Sequence, residues 1–139
     1  MMGKILKTLL RLLLSAFVTA AGVAHWVTPT PFVQMMPNYL PYHLALVQIS
    51  GVFEILGGVG LLIPFVSRYA AWGLILLFIA VFPANVNMAV NDLVIDGMPH
   101  NLVAYWLRLP CQAVLIAWAW WFTRPVLKSE AHSTLNMSE

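Results

Sequence analysis

Four stretches of this chain, residues 9–27, 44–63, 69–90 and 102–122, are almost wholly apolar. Each approaches the length of about 20 residues at which an α-helix crosses a hydrocarbon core of about 30 Å. No other feature restricts the fold as much. A chain surrounded by lipid must satisfy its own backbone hydrogen bonds, so only helices or a closed barrel can span the bilayer. The alternating strands of about ten residues that a barrel needs are absent, which leaves helices. Composition agrees: 61% of the 139 residues are apolar and 9% are charged, against about one quarter charged in a usual soluble domain. Four such segments with short links predict an all-α, antiparallel four-helix bundle embedded in the membrane. Its domain covers residues 1–128, and residues 129–139 form a polar, disordered tail.

The connections fit this reading. Between the first two segments, "TPTPFVQMMPNYLPYH" carries four prolines and predicts a loop with a short interfacial helix over residues 32–36. "PFVSR" is a tight turn, "NDLVIDGMPHN" a third loop, and "TRP" a stop before the tail. Lys4, Lys7 and Arg11 precede the first segment, Arg68 sits in the second link, and Arg124 and Lys128 follow the last. The first and third loops have no Lys or Arg, and the third holds Asp92 and Asp96. The positive-inside rule therefore puts both termini and the Arg68 turn in the cytoplasm. Trp26 and Tyr39 suit the outer interface; Trp120, Trp121 and Phe122 suit the inner one. The N-terminus resembles a signal peptide in its charges, but its apolar run is longer than a signal core, and it is read as a retained span.

Other function classes are disfavoured. The formal net charge is +2 and the basic residues are scattered, so no nucleic-acid surface is expected. The single cysteine, Cys111, is read as an apolar packing residue. It allows neither an intrachain disulfide nor a CxxC site. His25, His43 and His100 share no metal-binding spacing, so no metal site is expected.

The polar residues inside the spans carry the functional question. Glu54 lies near the middle of the second segment, in "GVFEILGGVGLLIP". An ionisable group at that depth costs several kcal/mol, roughly 2.5–3.5 on insertion scales, and must face the bundle interior with a partner. Helix rise places His25, Glu54, Asn85, Asn87, Arg108 and Gln112 at overlapping depths in the outer half. Arg108 and Gln112, four residues apart, share a face. Arg108 is the expected partner of Glu54. Pro83 breaks the ladder of the third span, and one of the two asparagines is expected to cap the freed backbone. The same six residues suit a structural ion-pair network, a ligand pocket or a proton path. Gly51, Gly57, Gly58 and Gly60 are read as sites of close helix contact.

"AGVAHW", "EILGGVGLLIP", "FPANVNMA" and "LRLPCQ" together resemble the DoxX-like family of small bacterial membrane proteins, over about residues 12–124. The motifs contain His25, Glu54, Pro83, Asn85, Asn87, Arg108, Pro110 and Gln112. The resemblance implies a four-helix protein of the bacterial inner membrane that works beside redox or stress proteins. It supplies no catalytic motif, so an activity of the chain by itself is not expected. The favoured reading is an accessory protein that binds a small amphiphile, a quinone or a lipid-like molecule, in an outer-half polar pocket. The alternatives are a membrane subunit of an oxidoreductase complex, with a redox-protein partner, and a small transporter or scaffold acting as a homo-oligomer.

Overall fold

The structure, a computed structural model, describes residues 2–124; the tail assigned to residues 129–139 lies outside them. Five helices follow one another: α1 (Met2–Val27), α2 (Thr30–Met35), α3 (His43–Leu62), α4 (Ser67–Val90) and α5 (Leu102–Thr123). All but α2 are long and apolar enough to cross a membrane. The chain is a multi-spanning all-α protein with bundle-like packing.

The ends of the helices follow local chemistry. The α1 helix begins seven residues before the predicted segment, because Met2, Lys4, Leu6 and Lys7 are good helix formers and no proline stands among residues 2–8. Short α2 starts at Thr30 with Pro31 in its first turn, where a missing N–H costs nothing. The N-cap of α5 is Asn101, whose side chain accepts the Ala104 N–H at 3.1 Å. Between α3 and α4 the chain turns within four residues, held by N–H bonds from Val66 and Ser67 to the Ile63 carbonyl. So short a link makes the two helices antiparallel neighbours.

Packing runs in sequence around the bundle: α1 on α3, α3 on α4, α4 on α5. The α1–α3 contact is the closest. A Cβ on Gly22 would lie 2.6 Å from the Gly51 carbonyl oxygen, and one on Gly51 would lie 2.8 Å from that of Gly22. Only glycine allows two backbones so near each other. Two turns further along, the Ser15 hydroxyl donates to the Gly58 carbonyl at 2.6 Å. Between α3 and α4, Gly57 makes room for Leu74, and Gly60 makes room for Ala70.

The two ends of the bundle differ. At the end holding the start of α1, the α3–α4 turn and the close of α5, an apolar core forms from Leu14, Val18, Leu61, Leu74, Phe78, Ala119 and Phe122. Here α1 and α5 meet through side chains. At the other end α2 lies against α3 and α4, over a second cluster of Met35, Met88, Ala89, Ile95 and Tyr105. Most of the outer surface is leucine, isoleucine, valine and aromatic side chains, including Leu13, Phe17, Leu56, Leu76 and Val103. Water would not tolerate so continuous an apolar coat, whereas lipid would.

Candidate functional site

Beneath α2 the helices separate and leave a cavity of about 980 Å³, at the upper end of the range for small-molecule sites. Every helix contributes to its wall. Val18, Phe32, Met35, Val47, Phe78 and Leu115 supply apolar surface; His25, Glu54, Asn85, Arg108 and Gln112 supply polar groups. Other wall residues, among them Phe17, Ile49, Phe53 and Leu76, are more than half exposed on the outside of the bundle. The cavity therefore opens sideways between helices.

The first polar group is a pair. His25 Nδ1 and Glu54 Oε2 lie 2.9 Å apart, and each side chain is 9% exposed. The glycines explain why they meet. Gly22 is one turn before His25 on α1, and Gly51 is one turn before Glu54 on α3. Their backbone contact brings the two side chains together directly beside it. Neither atom meets hydrogen-bond geometry with any partner, so the two groups are close but poorly angled. The ring edge of Phe32 meets the His25 ring at 4.0 Å between centroids and 83°. That closes the pair from the α2 side.

The second group is an amide chain. Asn85 Nδ2 donates to Gln112 Oε1 at 2.7 Å, and Gln112 Nε2 donates to the Phe78 carbonyl. Pro83 lacks the N–H that would bond the Ile79 carbonyl, and Phe78 is the neighbouring residue on that opened turn. Gln112 is 4% exposed, and a buried amide without partners would be costly.

Arg108 stands on the same wall, one turn from Gln112. It does not reach Glu54. Among the described residues no carboxylate lies within 4.0 Å of its guanidinium. The expected Glu54–Arg108 pair is thus replaced by Glu54–His25, because α1 rather than α5 is the helix that comes close to α3. Among the described residues no side chain donates to the Ile79 carbonyl that Pro83 frees: Asn85 donates to Gln112, Asn87 to the Met35 carbonyl, and Gln112 to the Phe78 carbonyl one residue earlier. Asn87 points away from the cavity wall: its Nδ2 donates to the Met35 carbonyl at 3.0 Å, and its Oδ1 accepts from Asn91 at 2.7 Å. Cys111 is exposed beside the cavity instead of filling a core position.

Sequence reasoning placed a short helix near α2 but did not see its role. Three contacts hold it across the cavity: Asn87 to Met35, a two-way bond of Gln34 with Asp96 (2.7 and 2.8 Å), and His43 Nε2 to the Pro37 carbonyl at 3.1 Å. The only sequence signals were an amide in a proline-rich loop and an acid 62 residues later, which no local pattern connects. Among the described residues, no three His, Cys, Asp or Glu side chains gather as metal ligands.

Fold and cavity together define a multi-pass α-helical membrane protein with a laterally open, sparsely polar pocket. Residues 14–123 match a domain family of unknown function, DUF8561, and the chain belongs to that family. No curated protein and no solved structure matches it.

Proposed function

We propose that this protein is an accessory membrane component that takes a small amphiphile, quinone-like or lipid-like, into the cavity under α2. The observation that carries this reading is the composition of the wall. It is apolar except for two anchored polar groups and one guanidinium, Arg108, to which no described carboxylate is paired. An arginine inside a span is costly without a partner, and an acceptor oxygen on a bound molecule would supply one. The apolar wall would hold the rest of that molecule, and the sideways opening would admit it from the lipid. DoxX-like character, a cytoplasmic location for both termini and residence in a bacterial inner membrane belong to the same reading. They rest on the motifs around His25, Glu54 and Arg108 and on the clustering of cations at one end.

The test is binding of a ubiquinone analogue to purified protein in detergent, followed by tryptophan quenching. Arg108→Leu is expected to abolish saturable binding while the protein stays monodisperse and helical. Unchanged affinity in that variant would reject the reading. The His25–Glu54 contact favours one second reading, a redox subunit in which the pair passes a proton to or from a bound quinone. Turnover with an electron donor, present with the partner subunit and lost in Glu54→Gln, would distinguish it from a binding role.

A further inference from the structure

The opposite end of the bundle has its own unfilled chemistry. Lys4, Lys7 and Arg11 are spaced three and four residues apart, so they occupy one face of α1. That face turns toward the last turns of α5. Lys7 Nζ stands 5.9 Å from the Trp121 ring centroid, and the Arg11 guanidinium carbon stands 5.3 Å from that of Phe122. These two rings are stacked, 5.8 Å apart at 25°. Arg124 covers Trp120 at 4.0 Å.

Nothing described at this end balances the positive charge. The acids among the described residues are Glu54, Asp92 and Asp96: the first lies at the cavity and the others in the loop beyond α4. Two donors are also left over. Arg11 Nε and, one turn before Phe122, Trp118 Nε1 are buried without a hydrogen-bond partner. Aromatic faces hold cations in place but accept no hydrogen bonds of the strength a guanidinium makes with an oxyanion. A cleft of cations and orphan donors calls for an anionic group made of acceptors. Directly beside it, Leu9, Leu12 and Leu13 present exposed apolar side chains, so the molecule carrying that anion would also have chains to lay against them.

We propose that the cleft between the first turns of α1 and the last turns of α5 binds the headgroup phosphate of an anionic phospholipid. The site is separate from the cavity under α2 and independent of what that cavity holds. It differs from general attraction to a charged membrane surface, because Lys7 and Arg11 are held against the neighbouring Trp121 and Phe122 rings. Arg68 lies at the same end but is exposed at the start of α4 and serves as the built-in control.

The experiment counts lipids retained by the full-length protein in native mass spectrometry, on titration with phosphatidylglycerol or phosphatidylcholine. Phosphatidylglycerol is expected to bind in preference. Each cation near a lipid headgroup accounts for on the order of fivefold, so Lys7→Gln with Arg11→Gln is expected to lower that preference by about 25-fold. Arg68→Gln should leave it near the wild-type value. Should the double variant aggregate, Arg11→Lys keeps the charge but loses the planar fork, and a several-fold loss is expected from it. Equal retention of the two lipids would overturn the proposal. So would an equal loss in Arg68→Gln, which would mark diffuse attraction. Displacement of the lipid by millimolar inorganic phosphate would assign the cleft to free phosphate instead.

Discussion

The contact of α1 with α3 and the contact of α4 with α5 both hold polar groups inside the bundle, and they do so in opposite ways. In the first, glycines let the backbones touch, and the touching forces His25 onto Glu54 at 2.9 Å. In the second, a proline interrupts the ladder of one helix, and an amide from the other bonds the neighbouring Phe78 carbonyl and accepts from Asn85. One interface is tight and ends in an ionisable pair at a poor hydrogen-bond angle. The other is looser and ends in neutral, well-bonded amides. The cavity lies where the two meet.

The largest effect should come from splitting the ionisable pair. Removing one member of a buried pair strands the other and costs about 3–5 kcal/mol, whereas removing both with apolar residues of similar size is often neutral. His25→Leu is therefore expected to destabilise the protein strongly in a mild-detergent unfolding titration. His25→Leu combined with Glu54→Leu should recover much of the loss. If the double variant falls by the sum of the two single ones, the residues are not coupled and the pairing is wrong.

A smaller effect tests the close contact itself. Gly22→Ala would drive a Cβ to 2.6 Å from backbone on α3, where neither side can yield cheaply. Overpacking of this kind costs about 1–3 kcal/mol. Gly73→Ala, on α4, meets nothing within 4 Å and should be neutral or stabilising by up to about 1 kcal/mol, as helix propensity dictates. Equal losses from the two substitutions, in the same titration, would mean that the α1–α3 contact is not tighter than the rest of the bundle.

The contrast also shows what the sequence could and could not reveal. Spans are legible because the bilayer imposes a length and an apolarity that leave a mark on every residue. The predicted bounds of α3, α4 and α5 lie within two residues of the observed ones. That His25, Glu54, Asn85, Arg108 and Gln112 share one cavity wall was approachable from depth alone, since helix rise is fixed. Partnership was not. Depth places Arg108 and His25 almost equally well for Glu54. The choice depends on which helix comes nearest and at what rotation, and that is decided by Gly22 meeting Gly51. Those two glycines lie 29 positions apart and give no sign in sequence that they are partners. Depth put Asn87 in the same network, but two positions from Asn85 it leaves the cavity face and turns to the Met35 carbonyl on α2.

The smallest effect concerns α2, which both interfaces use as a cover. Its tie to the α4–α5 loop is the two-way bond between Gln34 and Asp96, on partly exposed groups. Bonds so near the surface contribute about 0.5–1.5 kcal/mol each. Gln34→Ala should therefore leave the midpoint of global unfolding almost unchanged, because the spans do not depend on it. The cover itself should loosen. Backbone amides of Val33, whose N–H bonds the Pro29 carbonyl, and Met36, whose N–H bonds that of Val33, are expected to exchange with deuterium several-fold faster than in the wild type. Those of α3 around Glu54 should not change. Faster exchange confined to α2 would make it a separately opening element over the cavity. Unchanged exchange would mean that Asn87 and His43 hold it alone, and that Gln34 and Asp96 meet without fastening anything.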